Sequence, residues 1–98
     1  MQAKFFAGSK SNPAVLVFGL GVNGGGVGVA KFFAALGYRV VVTDKKSASE
    51  LASSIRALKG CKIKYVLGKH NNKDFKDADL VIKNPSVPNS HPLLKLAK

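Results

Sequence analysis

Gly19, Gly21 and Gly24 follow the apolar run Ala14–Phe18 at the spacing G-x-G-x-x-G, and Asp44 stands twenty residues beyond the last of them. The chemistry this pattern serves is the holding of an anion by main-chain amides. The first glycine permits a tight turn, the second lets a diphosphate approach the backbone, and the third lets helix and strand pack closely. Bare N–H groups of the first helical turn, expected here from Val22, Asn23 and Gly24, then grip the anion with help from the helix dipole. Asp44 falls where an acid reaches a ribose or a base, and by itself it points to NAD. Gly25, Gly26 and Gly28 exceed what the motif requires; the plainer reading is that they let the helix press against the sheet.

Other candidate chemistry is weaker. Gly68-Lys69-His70 is no phosphate-binding P-loop, because Ile63 stands where that motif needs its first glycine and His70 where it needs Ser or Thr. His70 and His91 lie far apart in sequence with no Cys or acidic pair at ligand spacing, so no metal site is expected. No Ser/His/Asp arrangement is evident, and Cys61, the single cysteine, has no neighbouring histidine and permits no intrachain disulfide. No catalytic residue is assigned.

The elements that must position the glycine loop follow from hydrophobic periodicity. Ala14–Phe18 reads as a parallel strand covered on both faces. Val27, Ala30, Phe33 and Ala34 recur at helical spacing, and Gly37 sits where that helix stops. Tyr38–Asp44 is a second strand. Ser47–Lys59 is a second helix, with Leu51, Ile55 and Leu58 on one face and Ser47 with Glu50 as a capping box. Lys62–Gly68, with Ile63, Tyr65 and Leu67 alternating with Lys62, Lys64 and Val66, has one poorly covered face and suits an edge strand. His70–Ala78 is a loop or short helix and Asp79–Asn84 a fourth buried strand. Pro85 and Pro88 exclude regular structure through the next segment. A last helix is expected from Ser90, with Pro92 in its first turn, running to the final residue.

Strands alternating with helices predict one α/β domain over residues 1–98, a Rossmann-like, doubly wound parallel sheet of strand order 3-2-1-4. A chain ending inside a helix looks cut short before a fifth strand. The topological switch point lies between the first and fourth strands, so a ligand is expected over Gly19–Gly24 and Asn84–Val87.

Composition bounds the function. The 98 residues are 46% hydrophobic, ordinary for a single globular core. No apolar stretch is long enough to cross a bilayer or serve as a secretion signal, so the chain reads as cytoplasmic with no membrane partner. The net charge of +11 comes from sixteen Lys and Arg against five Asp and Glu. Those cations are spread from Lys4 to Lys98 without a dense block or interleaved aromatics. A solvated basic surface is therefore expected, with nucleic acid a lesser alternative.

The stretch VLVFGLGVNGGGVGVAKFFAALGYRVVVTD, followed by LGKHNNKDFKDADLVIKNPSVPNSHPLLKLAK, resembles the amino-terminal domain of the Mur ligases of peptidoglycan synthesis, and among them the D-glutamate-adding branch most. The resemblance implies that this domain binds the UDP part of UDP-N-acetylmuramoyl-L-alanine. It puts the diphosphate on the amides of Val22 and Asn23, uridine beside Asp44, Lys45 and Lys46, and Asn84, Pro85, Ser86 and Val87 on the far wall. ATP, Mg and the amino acid are implied to belong to central and C-terminal domains, which leaves this segment without a cofactor or turnover of its own. The family usually has glycine where Ser86 stands, a departure that bears on the uracil side of the pocket. Other readings are an NAD-binding regulatory module and the L-alanine-adding branch of the same family.

Overall fold

The structure is a computed structural model that describes residues 2–5, 13–21 and 24–96. Its sheet has five strands in the order β1-β5-β2-β3-β4, with β1 Gln2–Phe5, β2 Ala14–Phe18, β3 Arg39–Asp44, β4 Ile63–Leu67 and β5 Leu80–Lys83. Strands β2, β3, β4 and β5 are mutually parallel, which is the expected 3-2-1-4 arrangement. One strand was not expected. The segment β1 pairs antiparallel with β5, Ala3 opposite Ile82, so the outer edge of β5 is occupied by the chain ahead of the glycine motif.

Every residue of β2 is buried because it is central and covered on both faces. Its side chains alternate between two cores. Val15 and Val17 join Leu20, Ala30, Val40, Val42, Leu51, Leu58 and Ile82 in one, where helices α1 (Val27–Ala35) and α2 (Ala52–Ala57) pack. Leu16 and Phe18 join Phe75, Ala78, Val81 and Leu94 in the other, covered by α3 (Asn72–Asp77) and a 3-10 turn at Pro92–Leu96. The sheet is therefore wound on both sides. β4 lies at the edge, with Ile63, Tyr65 and Leu67 against the first core and Lys64 exposed.

Helix α1 ends as its glycine predicts. Gly37 has φ +86°, its N–H donates to the Ala34 carbonyl, and that of Tyr38 reaches back to the Phe33 carbonyl, the paired bonds of a Schellman cap. Two helices are shorter than expected. Ser47 and Glu50 do make the reciprocal capping contacts, Ser47 N–H to Oε1 at 3.0 Å and Glu50 N–H to Oγ at 3.3 Å, yet regular helix begins only at Ala52. The Ser47 N–H, together with the Ser47 hydroxyl that donates to Oε1 at 3.1 Å, holds the Glu50 carboxyl below its ordinary pKa. The expected last helix is only the 3-10 turn, with residues 97 and 98 outside the described ones.

Candidate functional site

The glycine loop leaves the carboxyl end of β2 and is held from three directions. Gly19 N–H continues the sheet ladder to the Thr43 carbonyl at 2.8 Å. Asp44, buried at the end of β3, accepts the Leu20 and Gly21 amides on Oδ2 at 2.9 and 3.2 Å and the Lys46 amide on Oδ1 at 3.0 Å. Ser54 of α2 donates from its hydroxyl to the Gly21 carbonyl at 2.7 Å. The acid expected to meet a ribose or base thus also acts as an internal clamp, and Ser54, which sequence reading passed over, supports the same turn.

The glycines are needed for close approach, much of it by the protein itself. A Cβ on Gly19, at φ +98°, would lie 2.8 Å from the Asn84 Cβ, and one on Gly25 would lie 2.9 Å from the Asn84 Nδ2. The tight packing expected at Gly24 occurs instead at Gly26, whose Cβ would fall 2.8 Å from the Gly19 carbonyl oxygen and 3.0 Å from the Leu20 Cα. Gly24 serves the turn through its φ of +78°, and Gly28 faces open space.

Of the three expected amide donors, Val22 and Asn23 lie outside the described residues, and the Gly24 N–H is turned inward to the Gly21 carbonyl at 3.2 Å. The Gly26 and Val27 amides are likewise taken, by the carbonyls of Leu20 and Gly24. This corrects the assignment of Gly24 as a donor: a turn closing on its left-handed glycine uses that N–H internally. Among the described residues, however, the amides of Gly25, Gly28 and Val29 have no acceptor, and α1 begins without a side-chain cap or an acid in its first turn. The helix start retains open donors and an uncompensated dipole.

Across the switch point, Asn84 N–H continues the ladder to the Phe18 carbonyl at 2.8 Å, and the Asn84 carbonyl accepts the Val87 amide at 2.8 Å, closing a turn with Pro85 at its second position. The Asn84 Oδ1 accepts the Ser86 amide at 3.0 Å. No non-glycine residue described has positive φ, so this turn accepts Ser86 without strain.

Between these walls opens a cleft of about 280 Å³. Gly19, Gly21, Asp44, Lys45, Lys46, Asn84, Ser86 and Val87 line it; Gly24 and Pro85 do not. Phe18, His70, Pro88 and His91 line it as well. The two histidines, distant in sequence, stand 6.3 Å apart by ring centroids, each edge-on to Phe18 at 5.0 Å. His70 Nδ1 pairs with the buried Thr43 hydroxyl at 2.6 Å. Burial, together with His91 and Lys45 and against the pull of Asp44, lowers the His70 pKa below its ordinary value. Among the described residues no group of three or more His, Cys, Asp or Glu side chains is gathered as a metal site, and no helix is long and apolar enough to cross a membrane.

Comparison with known proteins gives a consistent assignment. The profile of the Mur ligase MurD-like, N-terminal domain matches residues 13–98. The UDP-N-acetylmuramoylalanine–D-glutamate ligase of Borreliella afzelii is 54% identical over 85 residues, covering 85% of this chain and 19% of that protein. The enzyme of the same name from Roseiflexus is 47% identical over 83 residues, covering 85% and 18%, and that of Treponema pallidum 44% over 78 residues, covering 79% and 15%. This chain therefore spans less than a fifth of the length of these relatives. No solved structure matches it.

Proposed function

The chain belongs to the MurD-like, N-terminal domain family of the Mur ligases, and on that premise we propose that it holds the UDP end of UDP-N-acetylmuramoyl-L-alanine for a ligase that adds D-glutamate to this precursor in peptidoglycan synthesis. The observation that carries the reading is the cleft at the switch point, lined by Gly19 and Gly21 of the loop that leads into α1 on one side, Lys45 and Lys46 on another and Asn84, Ser86 and Val87 on the third. A diphosphate is an anion suited to bare amides and a helix dipole. It would lie on the amides of Gly25, Gly28 and Val29 together with those of Val22 and Asn23, with Gly19, Gly21 and Gly24 shaping the turn beneath. Uridine would lie beside Asp44, Lys45 and Lys46, with Asn84, Pro85, Ser86 and Val87 forming the opposite wall.

In this reading the chain binds and orients. ATP with its Mg2+, the D-glutamate site and the residues that activate the carboxylate belong to the central and C-terminal domains of the ligase, and the place of action is the bacterial cytoplasm. A nicotinamide dinucleotide reading depends on Asp44 as the ribose acceptor, and that carboxylate already accepts three backbone amides. Isothermal titration separates the two. Heat on adding UDP or UDP-N-acetylmuramoyl-L-alanine, and none on adding NAD, is expected; saturable binding of NAD with no response to either uridine compound overturns the proposal.

A further inference from the structure

We propose that His70 and His91 read the edge of the ligand's pyrimidine and select an imide such as uracil over cytosine. This inference rests on the uridine reading above and assigns its base specificity to two residues that neither sequence spacing nor the glycine motif brings together.

The argument begins with the protons. Leu93 N–H donates to His91 Nδ1 at 3.2 Å, so that nitrogen is an acceptor and the neutral ring carries its proton on Nε2. For His70 the partner is the Thr43 hydroxyl, whose Oγ1 also donates to the Lys69 carbonyl at 3.4 Å. In the pairing this proposal takes, the hydroxyl proton goes to that carbonyl, His70 donates from Nδ1 to Oγ1, and its Nε2 is the acceptor. Neither Nε2 has a partner among the described residues, neither is among the buried polar atoms left unpaired, and both rings line the cleft. The cleft thus presents one imidazole acceptor and one imidazole donor above the Phe18 ring.

Charge divides the ligand between the two ends. The glycine loop leading into the uncapped start of α1 suits a diphosphate, Lys45 and Lys46 flank the nucleoside, and Phe18, Val87 and Pro88 suit its flat base. With diphosphate and ribose anchored, the register of the base is set. Uracil then turns its N3–H toward the His70 acceptor and a carbonyl toward the His91 donor. Cytosine in the same register opposes its N3 lone pair to His70 and its amino group to the His91 N–H, and a site built to pair polar atoms rejects the analogue that leaves them unpaired. The groups facing His70 are Thr43, Asp44 and Lys45 from β3 and its end, Phe75 of α3, Phe18 of β2 and His91 from the last turn. Among them burial is the strongest influence and keeps the ring neutral, as an acceptor must be.

The test compares UDP and CDP binding to the unaltered chain, H70A and H91A by calorimetry, with far-UV circular dichroism to verify folding. The unaltered chain is expected to prefer UDP by about tenfold or more, and each variant to lose most of that preference. As a second readout, the imidazole 15N shifts of both histidines in the unaltered chain should respond to UDP and not to inorganic pyrophosphate. If UDP binds but its margin over CDP is the same in all folded proteins, or pyrophosphate moves the imidazole signals as UDP does, this inference is wrong while the uridine reading stands. If the unaltered chain binds no UDP, the uridine reading itself is wrong and the inference goes with it.

Discussion

Asp44 shows how one side chain serves the fold and borders the ligand site at once. Its two oxygens accept amides from Leu20, Gly21 and Lys46, so it ties the glycine loop to the end of β3. Asn at this position keeps the shape but replaces one oxygen by an amino group that faces a donor. D44N is therefore expected to destabilise the chain by about 2–3 kcal/mol, read as a lower urea midpoint, since bonds to a charged acceptor are the stronger ones and the opposed donor is left unpaired. His70 gives a pH dependence of definite sign. Its native pKa lies below its unfolded value, so the unfolded chain binds more protons in the interval between them. Its contribution to stability is complete above the ordinary histidine value of about 6.5 and is lost as pH falls through the lowered native value. Denaturation midpoints measured from pH 7.5 down to 5 should fall, and H70N should flatten that slope. Of the residues at the cleft, the glycines and Asp44 were legible from motif spacing, and Lys45 and Lys46 only through the family resemblance. The histidines were not, because only the juxtaposed ends of the strands bring them together.

At the scale of elements, the alternation of strand and helix was readable because each buried strand is an apolar run and α1 carries its own stop at Gly37. Strand β1 was not, since four residues pairing with an open sheet edge need no pattern of their own. The last helix was expected from local signals around Pro92 and formed only as a tight turn over the second core. The surplus glycines divide by contact. At Gly26 a methyl would press on the Gly19 carbonyl oxygen and the Leu20 backbone, neither of which can yield like a side-chain tip. G26A should cost about 1–3 kcal/mol as helix and loop are forced apart. At Gly28, in α1 and facing open space, alanine should stabilise by about 0.4–1 kcal/mol through the unfolded chain and helix propensity. Urea denaturation of the two variants reads both signs.

For the whole molecule, the parallel sheet brings β2, β3 and β5 to one edge with their carboxyl ends together, and the winding on both faces leaves that edge as the place where a crevice opens. The net charge of +11 makes the chain attractive to anions in general, but charge alone does not locate a site. The cleft does, by placing two lysines, the glycine loop at Gly19 and Gly21 and the turn after β5 around one hollow. The most direct test is an amide 1H–15N titration of the chain with UDP. Saturable shifts concentrated at Val22, Asn23, Gly25, Gly28, Val29, Lys45, Lys46, His70, His91 and the Asn84–Val87 turn are the expected result. Saturable binding that leaves those amides unmoved, or no binding at all, contradicts the account.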